Sequence, residues 1–352
     1  MRRRRPLVRD FHAGEYLDLF LVSAVSAILA IRFYLELTGY PQVGGATLHV
    51  AHMLWGGLLM LAAIVLLLSY MGKAVARLGA LLGGLGFGTF IDEVGKFVTR
   101  DHDYFYRPAV ALIYVTFVGT YLVIRSIHAR RKPGPEEYLV NALHEMEDIA
   151  FGDLDSRERD RALRYLGRSD PADPLVAGLR EAVHQAELVP TPSPHPLVRL
   201  RAGSVRQYRR LAAHPRFHRA LVVFFVLQLV FKVADAVLLW AGVRWQATVP
   251  LAFPLTHPAG QGLSLAVWGE LASSLLSGCL IAAGLVLLRD SRLRALRLFR
   301  GSVLVAVFLT QVFMFYRHQW TALLFLAFYL LVLAALNFVI EHEGRRAAPF
   351  RT

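Results

Sequence analysis

Eight stretches of this chain approach the roughly 20 apolar residues that a helix needs to cross a bilayer, and nothing else constrains the fold as strongly. They run over residues 16–37, 49–70, 79–97, 107–126, 218–241, 263–288, 301–316 and 320–340. Backbone in hydrocarbon must satisfy its own hydrogen bonds, so runs of this length predict helices. Composition agrees: 55% of residues are hydrophobic and only 18% charged, too apolar for an ordinary soluble domain. The expected fold is all-α and polytopic, four membrane helices, a cytoplasmic insert and four more.

Lysine and arginine set the expected orientation. With both termini inside, the short inner segments hold Arg2, Arg3, Arg4, Arg5, Arg9, Lys73, Arg77, Arg289, Arg292, Arg294, Arg297, Arg300, Arg345, Arg346 and Arg351. The outer loops hold Arg100, Arg107, Arg244 and Arg317. Fifteen against four favours both termini in the cytoplasm and places the chain in the inner membrane. The same clustering beside apolar runs explains the net charge of +13 without nucleic acid, and names anionic lipids of the cytoplasmic leaflet as partners. No cleavable signal peptide is expected, because residues 2–5 precede a long helix and not a short apolar core. Cys279 is the sole cysteine, so no disulfide or cysteine-based metal site is expected.

The segments divide as a basic N-terminus (1–15), a first four-helix half (16–126), an insert (127–217), a second half (218–340) and a tail (341–352). In the insert, EEYLVNALHEMEDIA, DSRERDRALRYLG and DPLVAGLREAVHQAEL read as short amphipathic helices, broken near Gly152, Pro171 and Pro174. A proline-rich linker follows at 189–196, then a basic amphipathic stretch at 197–211 suited to the inner membrane surface. The insert is expected to pack as a small helical unit or to meet a cytoplasmic protein partner. His144 and Glu145 start like a zinc-protease motif, but position 148 is Asp and the motif fails.

The halves look duplicated. HMLWGGLLM (52–60) matches AVWGELASS (266–274), pairing Trp55 with Trp268, and YFYRPAVALIYVTF (104–117) matches MFYRHQWTALLFLA (314–327), pairing Arg107 with Arg317. Arg32 and Glu36 in the first span answer to Lys232 and Asp235 in the fifth; each set has the spacing of an intrahelical charge pair. Such halves form a parallel repeat about an axis along the membrane normal. The first half keeps the polar chemistry, and the second is expected to be mostly scaffold.

That chemistry lies in GFGTFIDEVGKFVTRDHDYFYR (86–107). Ionisable groups in a membrane-length helix are costly and face a protein interior or a water-filled cavity. Asp92, Glu93 and Lys96 are the candidates, followed by Asp101, His102, Asp103 and Arg107 in the next loop. A turn at 71–78 folds the second and third spans into a hairpin, and counting outward from it puts Asp92 level with Gly57 and His52 level with Phe97. Gly56 and Gly57 then allow close approach. His49 and His52, one turn apart, come within a turn of Asp92 and Glu93, and two imidazoles with carboxylate suit Zn²⁺ or Fe²⁺. Two other arrangements use the same residues: a packing cluster in which Lys96 neutralises Asp92 or Glu93, or a histidine–carboxylate proton path. Glu270 adds polarity to the outer part of the second half. No Walker loop, CxxC or Ser-His-Asp order is present, and GLGFG lies inside a membrane helix, where a nucleotide fingerprint has no meaning.

HVAHMLWGG together with GFGTFIDEVGKFVTRDHDYFYRP resembles a family of bacterial polytopic membrane proteins of unassigned activity. The resemblance covers roughly the first 130 residues and implies a membrane fold but no catalytic residues. Membrane hydrolases of the alkaline-ceramidase type offer only an analogy, since the last span, TALLFLAFYLLVLAALNFVI, has no histidine pair. Three functions are expected to compete. One is transport or ion handling through an outward-facing polar pocket. The second is a metal-dependent enzyme acting on lipid at the outer leaflet, with Asp101 or Asp103 as base. The third is a structural or sensory protein, with a homo-oligomer open to each.

Overall fold

The computed structural model describes residues 8–39, 52–98, 106–129, 133–190, 203, 206–207, 210, 214–240 and 265–347. Every element in them is helical, and no strand forms among the described residues. Among the described residues, six helical runs are long and apolar enough to cross a membrane: Ala13–Thr38, His52–Ser69, Lys73–Lys96, Pro108–Ser126, Leu265–Leu287 and Arg292–Glu343. The chain is a multi-pass membrane protein. Where eight spans are expected, the described residues hold six such runs: the last, 52 residues long, covers both 301–316 and 320–340, and 218–241, helical within Pro215–Trp240, is not among them.

Two compact units divide the chain. The first takes residues 1–104 and 117–193, the second 105–116 and 194–352. In the first, α1 (Ala13–Thr38) and α2 (His52–Ser69) both pack on α3 (Lys73–Ile91), which is followed by the short α4 (Val94–Val98). Glycines let α3 sit between them. A Cβ at Gly84 or Gly88 would strike the backbone carbonyl of Phe20 or Ala24 on α1, and one at Gly86 would come within 2.7 Å of the Gly56 carbonyl on α2. Small-residue contact of this kind is how membrane helices gain van der Waals energy where lipid offers no hydrophobic drive. The hairpin turn is shorter than 71–78. It is Tyr70, Met71 and Gly72, the last at φ 106°, and Lys73 already begins α3.

Lys73 is in the helix because its charge is consumed. Its ammonium lies 3.0 Å from Glu145, 2.6 Å from Asp148 and 3.2 Å from Glu158, all in the insert. Those residues come from α6 (Pro135–Glu145), α7 (Glu147–Phe151) and α8 (Ser156–Leu166), which follow α5 (Arg107–Ala129) and precede α9 (Pro174–Gln185). Glu145 is fully buried and is also met by His12 Nε2 at 2.6 Å and Arg161 Nε at 2.9 Å. Arg9 forms a fork on Glu137, at 2.8 and 3.2 Å, and the Asn141 side chain closes on the backbone of Arg9 and Phe11. The insert's own core is Ala142, Ala162, Leu166, Val176 and Val183. It is thus locked by ions to the starts of α1 and α3, an attachment the sequence does not disclose.

That lock has a pH signature. Burial pushes the Glu145 carboxyl up, but the hydrogen bonds from His12, Arg161 and Lys73 outweigh it and hold it at about 2. A carboxyl lowered on folding stabilises above its unfolded value, near 4.5, and loses that contribution as pH falls toward about 2. The stake is roughly 3 kcal/mol at neutral pH. Acid titration followed by amide exchange in α6 and α8 is expected to show the insert loosening across that window. Glu145→Gln should start weaker and lose much of the slope.

In the second unit, α10 (Pro215–Trp240), α11 (Leu265–Leu287), α12 (Arg292–Val305), α13 (Gln311–His318) and α14 (Ala322–Ala347) enclose a core around Phe225, Ile281, Phe299, Val303, Tyr329 and Leu336. Phe225 and Phe299 stack with ring centres 4.4 Å apart. The long run is broken twice, by a π-turn at Ala306–Thr310 and by a 3₁₀ turn at Gln319–Thr321, where Gln319 takes φ 49°. Gln311 spans the second break, donating its amide to the Ala322 carbonyl at 2.8 Å. The first turns of α5 belong to this unit: the Tyr114 hydroxyl donates to the Val307 carbonyl, and its ring lies 4.5 Å from that of Phe315.

Candidate functional site

Asp92 and Glu93 follow the last residue of α3 and precede α4, and both are buried, with 1% and 3% exposure. Three helices converge on them. Arg32 of α1 places Nε 2.7 Å from Asp92 Oδ1 and Nη2 3.1 Å from the Asp92 carbonyl oxygen. The guanidinium therefore satisfies a buried carboxylate and the negative C-terminal end of α3 together. From α2, the Met53 amide donates to Glu93 Oε2 at 3.1 Å, which sets a carboxylate on the positive first turn of that helix.

His52 stands between the two acids. Its Nε2 is 3.4 Å from Asp92 Oδ2 and its Nδ1 is 3.5 Å from Glu93 Oε1. These are ion-pair distances, a small displacement longer than an aligned hydrogen bond. The imidazole is about a quarter exposed and the carboxylates hardly at all, so the histidine is the member open to the surroundings. With His52 protonated, the two acids and two bases sum to zero charge; with it neutral, the set carries one negative charge.

Several expectations change here. His52 is level with Asp92 and not with Phe97, because the hairpin turn is short and Lys73 is already helical. Gly56 makes the close approach, whereas a Cβ at Gly57 would meet nothing within 4 Å. Arg32 is engaged with Asp92, 60 residues away, while its helix-mate Glu36 is exposed. A short ion pair to Asp92 thus comes from Arg32 on another helix. Among the described residues no group of three or more His, Cys, Asp or Glu is placed to hold an ion, and His49, one of the four expected ligands, is not one of those residues. A permanent guanidinium charge 2.7 Å from Asp92 would also repel a divalent cation. His49, Asp101, His102 and Asp103 lie outside the described residues, as do the side chains of Arg107 and Asp235 and residues 191–211 apart from 203, 206–207 and 210.

No protein family, curated protein or solved structure matches the chain.

The second unit is more polar than a scaffold. Lys232 on α10 is buried and donates to the Ser274 hydroxyl on α11 at 2.9 Å. Glu270, one turn before Ser274, takes Arg317 Nη1 at 2.5 Å, so Arg317 is a helix residue in an ion pair and not an outer-loop charge. Gln228, Ser273, Ser277, Ser302, Thr310 and Gln311 are buried as well. An apolar count along α10, α11 and α12 hides this polarity, because serine, threonine and glutamine carry no charge to flag it.

Proposed function

We propose that the chain is a proton- or ion-handling transport protein of the inner membrane, with Asp92, His52 and Glu93 as its proton-bearing set and Arg32 as the fixed counter-charge. One observation carries this reading: the two ring nitrogens of a single, partly exposed histidine face two different buried carboxylates. Such a ring accepts a proton on one nitrogen and releases one from the other without leaving its place. Buried intramembrane acids with a histidine are the usual material of proton relays.

The proposed topology has eight spans with both termini cytoplasmic. It is supported by the basic-residue asymmetry and by the joining of the N-terminal segment, the α2–α3 turn and the insert at one end of α1 and α3. The 4+4 parallel repeat is supported by Trp55 and Trp268, both exposed and each followed by a glycine in tight contact. Interfacial tryptophan on a lipid-facing surface fits both positions.

Infrared difference spectroscopy of the protein in liposomes tests the assignment without knowledge of a substrate. A pH step from 8 to 5 is expected to give carboxyl and imidazole bands from which one component is lost in His52→Gln and altered in Glu93→Gln. Liposomes with a trapped pH dye should show proton entry in wild type that falls at least tenfold in either variant, with unchanged melting in Glu93→Gln. Identical difference spectra in wild type and His52→Gln, or full proton entry in Glu93→Gln, would leave a cluster that only holds three helices together.

A further inference from the structure

The ion lock between insert and membrane unit fixes the height of α7. Asp148 accepts from Lys73 at 2.6 Å, and Lys73 is the first residue of a run long and apolar enough to cross the membrane. α7 therefore sits where that run leaves the bilayer. Phe151 is three residues after Asp148, near the same side of the helix, and is 84% exposed. At the same height Leu68, at the end of α2, and Tyr70 and Met71 of the α2–α3 turn are exposed, Met71 at 92%. Arg77, also exposed, lies one turn into α3 and can snorkel to lipid phosphates.

Fully exposed phenylalanine and methionine are unfavourable in water by about 25 cal/mol for each Å² of apolar surface. At the headgroup–acyl boundary the same groups are favourable, and tyrosine is enriched there. We infer that Phe151, with Tyr70 and Met71, forms an interfacial anchor that docks the insert on the bilayer. The occupant of this surface is lipid, because the patch continues the exposed apolar side chains near the end of α2, Val65 and Leu68, around the turn. The insert then reads the membrane surface directly, in addition to being tied to α1 and α3 by ions.

Depth measurement by electron paramagnetic resonance tests this on the full chain. Single cysteines at Phe151→Cys, Met71→Cys and Glu181→Cys, in a Cys279→Ser background, are spin-labelled and reconstituted in phosphatidylcholine–phosphatidylglycerol nanodiscs. Glu181 is exposed on α9 and serves as the water reference. The label at 151 is expected to collide with oxygen in preference to a nickel chelate, as at 71, with a ratio several-fold above that at 181. A label at 151 that meets the chelate as freely as at 181 overturns the anchor. So does one shielded from both reagents, which would place a second copy or another protein on the patch.

Discussion

Arg32→Leu should destabilise the protein by about 3–5 kcal/mol, because it leaves Asp92 charged, buried and without its guanidinium. The same change removes the donor on the Asp92 carbonyl at the end of α3. Melting in nanodiscs should show a large drop, and Asp92→Asn on top of Arg32→Leu should recover most of it, since the uncompensated charge is then gone. The coupling in that double-mutant cycle measures the pair itself. Arg32→Lys should recover little, because one ammonium cannot reproduce a fork that spans a carboxylate oxygen and a carbonyl. Glu36→Gln should be near neutral. Were Glu36→Gln as costly as Arg32→Leu, the intrahelical pair would be the real one and the three-helix cluster would fall.

That contrast shows what the sequence could and could not disclose. Asp92, Glu93 and His52 stand out because acids and an imidazole interrupt apolar runs, and burial of that kind demands partners. Arg32 stands out for the same reason, but its partner does not. Helical spacing exposes only neighbours three or four residues away, so Glu36 is the visible candidate and Asp92 is not. The register of α2 on α3 is misplaced for a related reason. A charged Lys73 reads as loop, and only the carboxylates of Glu145, Asp148 and Glu158 explain why it can be helical and buried. Those acids in turn read as the wet face of amphipathic helices, since periodicity marks a polar face without saying whether water or a cation covers it. Six of the apolar runs are legible as membrane-length helices, while the breaks at Ala306–Thr310 and Gln319–Thr321 are not, as neither holds a proline or glycine.

Neighbouring glycines give the second large effect, and one that tests the packing to a single residue. At Gly56 a Cβ would lie 2.6 Å from the Phe90 nitrogen and 2.7 Å from the Gly86 carbonyl oxygen; at Gly84 and Gly88 it would strike carbonyl groups of α1. These obstacles are backbone, so no rotamer change relieves them and the helices must move apart. Gly56→Ala, Gly84→Ala and Gly88→Ala should each cost about 1–3 kcal/mol or more. Gly88→Ala should also weaken the Arg32–Asp92 pair, because the contact it spreads lies one turn below it. Gly57→Ala and Gly83→Ala should behave oppositely. A Cβ at Gly57 meets open space and at Gly83 an ordinary 3.7 Å contact with Ala63 and Phe20. Alanine is the better helix former by about 1 kcal/mol, so these variants should be neutral or slightly more stable. Melting the five variants side by side decides the matter: a difference in sign between 56 and 57, and between 83 and 84, can arise only if α3 presents these faces to α1 and α2. Equal effects within either pair would mean another register, and with it another partner for His52.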